Sequence, residues 1–82
     1  MKQERVRVNN EKGLHARSAS ELVRKANQFE SEIVLEYNGK EASAKSILAV
    51  LSLAAEEGND ILLKARGRDE DKAIITLRRF IE

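Results

Sequence analysis

Ile33, Leu35 and Tyr37 alternate with Glu32, Val34 and Glu36, and this run leads directly into Asn38-Gly39. Period-two alternation puts one set of side chains on each face of a strand, and Asn-Gly suits the left-handed backbone of a type I′ turn. The pair predicts a tight hairpin whose second strand runs from Lys40 to Ala44. A hairpin with one apolar face is not stable alone in water, so the rest of the chain must widen the sheet and cover that face.

Arg5-Val6-Arg7-Val8 alternates in the same way and predicts a half-buried first strand. Asn9 to Gly13 carries turn chemistry and reads as a loop. Beyond it Ala19, Leu22, Val23, Ala26 and Phe29 recur at three- and four-residue spacing, predicting an amphipathic helix from about Ala16 to Asn27. Ser46 to Ala55 is apolar nearly all round, too short to span a membrane and too apolar to face water along a full side. Either it is deeply buried, with Val50, Leu53 and Ala54 as the inward stripe, or part of it is a docking surface. Gly58 and Asn59 end that helix, and Ile61, Leu63 and Ala65 alternate with Leu62, Lys64 and Arg66 as a fourth strand that Gly67 breaks. Asp69 offers an N-cap to a third helix, with Glu70 and Asp71 in its first turn and Ala73, Ile74, Leu77 and Ile81 as its apolar stripe.

The order β-α-β-β-α-β-α predicts an α+β fold, a four-stranded antiparallel sheet covered on one face by three helices. Arg5, Arg7, Glu32, Glu36, Lys64 and Arg66 fall on the open polar face. At 82 residues the chain has length for one core and one domain, residues 1–82. Fifteen basic residues balance fourteen acidic ones, which favours neither nucleic acid nor an anionic membrane as partner. With no Cys and a single His, a Cys/His zinc site, a disulfide and a cysteine nucleophile are excluded, and any histidine chemistry belongs to His15. The start lacks a signal-peptide core and no apolar run reaches membrane length, so the expected location is cytoplasmic, without membrane insertion. The element order also describes a ferredoxin-like binding module such as an RNA-recognition motif. Base stacking needs aromatics on the central strands, however, and Phe29, Tyr37 and Phe80 lie in no such motif.

The segment Gly13-Leu14-His15-Ala16-Arg17-Ser18-Ala19-Ser20 delivers a histidine onto the start of the first helix. The first turn of a helix leaves backbone N–H groups without partners and adds partial positive charge, so the amides after His15 can hold an anion such as a phosphoryl group. That potential favours the neutral, nucleophilic imidazole, and Arg17 supplies a cation able to pair with phosphate oxygens. A lone histidine at a helix start is also a common cap, so the residues alone leave both readings open.

Gly13-Leu14-His15-Ala16-Arg17 resembles the active-site signature of HPr, the histidine-containing phosphocarrier of the bacterial phosphoenolpyruvate-dependent phosphotransferase system. Lys45 to Ala54, KSILAVLSLA, resembles that family's second signature, and the separation, element order and length agree, so the resemblance covers essentially the whole chain. It implies an open-faced β-sandwich in which His15 accepts a phosphoryl group on Nδ1 from phosphorylated enzyme I and passes it to an enzyme II A component during sugar uptake. Arg17 would stabilise the phosphate, with Ala16, Arg17 and Ser18 as its cradle. Such a protein is a monomeric carrier, a substrate of phosphotransferases without a cofactor or metal of its own, and not a stand-alone catalyst. A paralogue in the nitrogen-related regulatory branch is the alternative within the family. Regulators related to HPr that cannot be phosphorylated there replace the histidine, and His15 is present.

Three positions depart from the family pattern. Ser18 stands where proline is usual, which predicts a slightly less rigid but competent loop. Ala49 and Ala54 stand where many relatives have glycine, which favours the second helix if both positions are regular helix. Ser46 is a good N-cap for that helix, and Lys45-Ser46-Ile47 also resembles the site that HPr kinase/phosphorylase marks with ATP in some relatives. A phosphate there would repel an acidic partner without unfolding the protein. Ile47, Leu48 and Leu51 are expected to dock partners, with Ser20, Arg24 and Asn27 adding polar contacts from the first helix.

Overall fold

In the computed structural model, which describes residues 1–82, the chain runs β1 Lys2–Arg7, α1 Ala16–Ala26, β2 Glu32–Tyr37, β3 Lys40–Ser43, α2 Ile47–Ser52, β4 Asp60–Arg66 and α3 Glu70–Ile81. Asn38 and Gly39 take φ of 55° and 81°, the two left-handed residues the hairpin requires. β2 and β3 pair antiparallel from Tyr37 opposite Lys40 to Val34 opposite Ser43. β4 inserts between β1 and β2, antiparallel to both, giving the order β1-β4-β2-β3.

Alternation aims Val6, Ile33, Leu35, Ile61, Leu63 and Ala65 at one face, where they are buried beneath the helices. α3 lies over β1 and β4, and α1 packs against both α2 and α3. Leu22 and Val23 of α1, Val50 of α2, and Ile74 and Leu77 of α3 complete the core. The opposite face is open, as the polar set predicts. On it Glu36 and Glu41 sit directly opposite each other, a repulsive pair that the Lys64 ammonium bridges at 2.6 and 3.0 Å. Hydrogen bonds to Glu36 and then Glu41 raise the Lys64 pKa. The residues of β2 and β4 on this face, Glu32, Val34, Glu36, Asp60, Leu62, Lys64 and Arg66, include no aromatic on which a base could stack.

The second helix is shorter than its apolar run predicts. α2 stops at Ser52, and Ala54 turns left-handed with φ of 55° and is exposed, while Ala55 is the buried residue. The expected inward stripe is therefore corrected to Val50, Leu53 and Ala55. Ala54 lies outside regular helix, where an L side chain costs about 1 kcal/mol relative to glycine, so this departure destabilises the fold. Ala54→Gly is expected to raise unfolding stability by about 1 kcal/mol, read as a shift in urea midpoint at constant slope.

Asp69 occupies the N-cap position of α3, but its side chain does not cap the helix. Its carboxylate instead accepts hydrogen bonds from the Glu30 and Ser31 amides at 3.0 Å each and from the Ser31 hydroxyl, tying α3 to the start of β2. Ser31 is only 1% exposed, which explains why its donors need this partner. The Ser31 hydroxyl, followed by the Glu30 amide, holds the Asp69 pKa below its ordinary value of 3.8. A lowered carboxylate pKa contributes stability above the unfolded-state value, and that contribution is lost as pH falls through the folded one. Asp69→Asn is accordingly expected to weaken the protein at pH 7, with the gap to wild type closing below about pH 4 in denaturation curves.

Candidate functional site

Gly13 and the preceding Lys12 are both left-handed, with φ of 71° and 70°, and the Gly13 amide donates to the Asn10 carbonyl at 2.9 Å. The turn throws Leu14 into the core, where its amide donates to the Ala55 carbonyl at 2.9 Å. The segment before α1 is thus anchored on the segment after α2, and His15 emerges as the N-cap of α1 in extended backbone, φ −100°.

The imidazole Nδ1 accepts from the Arg17 amide at 3.4 Å, a long bond that assigns the lone pair to Nδ1 and aims it into the first turn. The Ala16 amide lies ahead of the first helical acceptor and has no hydrogen-bond partner, while the Ser18 amide faces the His15 side chain in a capping box. The imidazole therefore faces the Arg17 and Ser18 amides, which it holds only weakly, with the free Ala16 amide beside them in the same turn. Amides of a helix's first turn with weak or no partners are suited to holding an anion.

Ser18 does more than its place in the cradle predicts. It is 6% exposed, and its hydroxyl accepts from the His15 amide at 3.1 Å and donates to the Gly13 carbonyl at 3.0 Å, closing a reciprocal capping box. These bonds give the loop a hold of its own at the position where the proline of the family pattern would fix φ. With its hydroxyl spent in the box, Ser18 has only its backbone amide, which faces the imidazole, to offer an anion. Arg17 is 87% exposed at its side chain, and Nε leans toward Glu21 at 3.9 Å, not toward the imidazole. At that distance and exposure the pair holds the guanidinium only loosely.

His15, Arg17 and Ser18 share an open depression with Asn10, Glu21 and Phe80. None of the last three is expected from the sequence. Glu21 was signalled only by its four-residue spacing from Arg17, whereas Phe80 arrives from the other end of the chain, seated on α1 with the Lys25 ammonium 5.5 Å from its ring centre.

Ser46 caps α2, its hydroxyl accepting from the Ala49 amide at 3.3 Å. Ile47 and Leu48 are 42% and 81% exposed, so the overly apolar helix does present a surface. Leu51 is corrected to a half-buried residue packed on the core. Ser20 and Arg24 are exposed on α1, but Asn27 spends its side-chain amide capping that helix, donating to the Val23 carbonyl at 2.9 Å. No helix of the chain is long and apolar enough to cross a membrane.

Residues 2–82 match the family described as the PTS HPr component phosphorylation site. The HPr-like protein Crh of Halalkalibacterium halodurans is 44% identical over 82 residues, covering 100% of this chain and 98% of the relative. Crh of Bacillus subtilis is 40% identical over 82 residues, covering 100% of this chain and 96% of its own. Its crystal structure, described as an intertwined dimer with a swapped domain, superposes with a TM-score of 0.81 at 41% identity over 99% of this chain and 93% of the other. The phosphocarrier protein HPr of Bacillus anthracis superposes with a TM-score of 0.96 at 37% identity, over 99% of this chain and 96% of its own.

Proposed function

The chain belongs to the HPr family, and from that premise we propose that residues 1–82 act as one phosphocarrier domain that takes a phosphoryl group on His15 from phosphorylated enzyme I and hands it to an enzyme II A component in sugar uptake. The observation that carries the reading is Nδ1 of His15 aimed at the first-turn amides of Arg17 and Ser18. In the transfer the Nδ1 lone pair forms a bond to phosphorus as the bond to the donor breaks. The Arg17 amide then exchanges its long contact with Nδ1 for a phosphoryl oxygen, and the Ala16 and Ser18 amides take others. The Arg17 guanidinium leaves Glu21 for the far stronger charge of the phosphate. Because the depression is open to solvent, the phosphoryl group stays reachable by the next acceptor. The site supplies orientation and charge, and the partner enzymes supply the rest of the chemistry. Transfer from phosphorylated enzyme I to wild type but not to His15→Ala tests the reading.

The exposed pair Ile47 and Leu48 on α2, together with Ser20 and Arg24 on α1, form the docking face for these partners. The protein works in the cytoplasm as a monomer, with β1 paired to β4 of its own chain. The swapped dimer described for Bacillus subtilis Crh is the competing assembly.

A second reading places Ser46 under control of HPr kinase/phosphorylase. A phosphate of about two negative charges on the N-cap of α2 is tolerated by the helix yet repels an acidic partner. An acid-stable phosphate from ATP is expected on wild type and absent from Ser46→Ala, with the unfolding midpoint of the phosphorylated form unchanged or higher. Equal labelling of the variant would remove this reading.

A further inference from the structure

Asn10 is the one residue whose buried polar side-chain atom has no partner: its Nδ2 is shut away from solvent without an acceptor. Unpaired buried amides are rare and unfavourable, so each calls for a reason. The backbone of Asn10 is fixed, because its carbonyl accepts from the Gly13 amide in the turn that delivers His15. Asn10 lines the same depression as His15, Arg17 and Ser18. No hydrogen bond holds its carboxamide, so turning it about its last torsion to carry the NH2 group out of its buried place sacrifices none.

We infer that Asn10 is a phosphoryl-binding residue: its side-chain NH2, unpaired while His15 is free, donates to an oxygen of the phosphoryl group held there. This rests on the carrier reading above. The backbone cradle supplies donors from the α1 side, and Asn10 supplies one from the loop side. Turning the carboxamide leaves Oδ1 in the place Nδ2 occupied, so what favours loading is the charge-assisted bond to the phosphoryl group.

Stability and loading, measured on the same variant, separate Asn10 from a structural residue. Asn10→Ala removes an unpaired buried donor, so the unphosphorylated variant is expected to unfold at the same temperature as wild type or above it. Its phosphorylated form is expected to lose about tenfold in loading at equilibrium with phosphorylated enzyme I, one charge-assisted bond's worth. In the 15N-labelled wild type, the Asn10 side-chain NH2 signal is expected to move when His15 is loaded. An unmoved signal, or loading of Asn10→Ala equal to wild type, overturns the inference, and so does a variant whose loading falls only in step with its stability. If wild type takes no phosphoryl group at all, the carrier reading has failed. The Asn10 inference then stands or falls on inorganic phosphate titrated onto the unphosphorylated protein: a shift of the same NH2 signal supports it, and no shift overturns it.

Discussion

Wild-type protein incubated with enzyme I, phosphoenolpyruvate and magnesium is expected to gain one acid-labile phosphoryl group, and His15→Ala to gain none. The chain has one histidine, so the phosphorus–nitrogen bond has one place to form, and loss in the variant is complete and not graded. Intact mass at neutral pH and after acid treatment reads the result directly. Structural damage is a poor explanation for that loss, since His15 is half-exposed and its imidazole contributes only a 3.4 Å capping bond. His15→Asn keeps a side-chain acceptor for the helix amides and so preserves the cap. It should be equally unlabelled at wild-type stability. Arg17→Ala removes the guanidinium but leaves the backbone donors, so it slows loading without abolishing it. Light scattering on the same wild-type sample is expected to give the mass of one chain. An unlabelled wild type, under conditions that load an authentic HPr, would end the carrier proposal.

Gly13→Ala is expected to be the most damaging single substitution near the site, lowering stability by about 3 kcal/mol. Two effects add. A side chain at φ of 71° costs about 1 kcal/mol, and a Cβ there would lie 2.4 Å from the Ala55 carbonyl oxygen and 2.5 Å from the Glu56 Cα. Both are backbone atoms that cannot rotate aside, and forced overpacking of this kind costs a further 1–3 kcal/mol, roughly. The strain falls on the contact that anchors Leu14 to Ala55, so the position of His15 is lost along with stability. Gly39→Ala is the control. Its φ of 81° carries the same backbone penalty, but a Cβ there meets nothing within 4 Å, so only about 1 kcal/mol should be lost. Urea denaturation of the two variants separates clash from conformation, and equal losses would show that the Ala55 contact is unimportant.

The strands and helices were legible because their signals are local. Alternation at 32–37 and 61–66 and the Asn38-Gly39 turn fix the face and direction of each strand without knowledge of its neighbours. The segment 46–55 misled for the same reason. Its composition is helical throughout, but the left-handed Ala54 is imposed by the need to bring the Ala55 carbonyl to Leu14, a contact across 41 positions of chain. Asp69 followed the same pattern: as a lone residue it suits an N-cap, yet Ser31 arrives with three nearby donors to satisfy and claims the carboxylate.

The candidate nucleophile and the polarity of its surroundings were legible in the sequence alone, since a single histidine follows a glycine turn and precedes a helix, and amides without helical acceptors are a property of any helix start. The role of Ser18 as a lock, the loose hold of Glu21 on Arg17, and the arrival of Asn10 and Phe80 beside His15 were decided only by the tertiary structure. The physical reason is directional. Which side of His15 a group approaches depends on how the Asn10–Gly13 turn and the end of α3 pack against α1, and no pattern within α1 encodes the position of either.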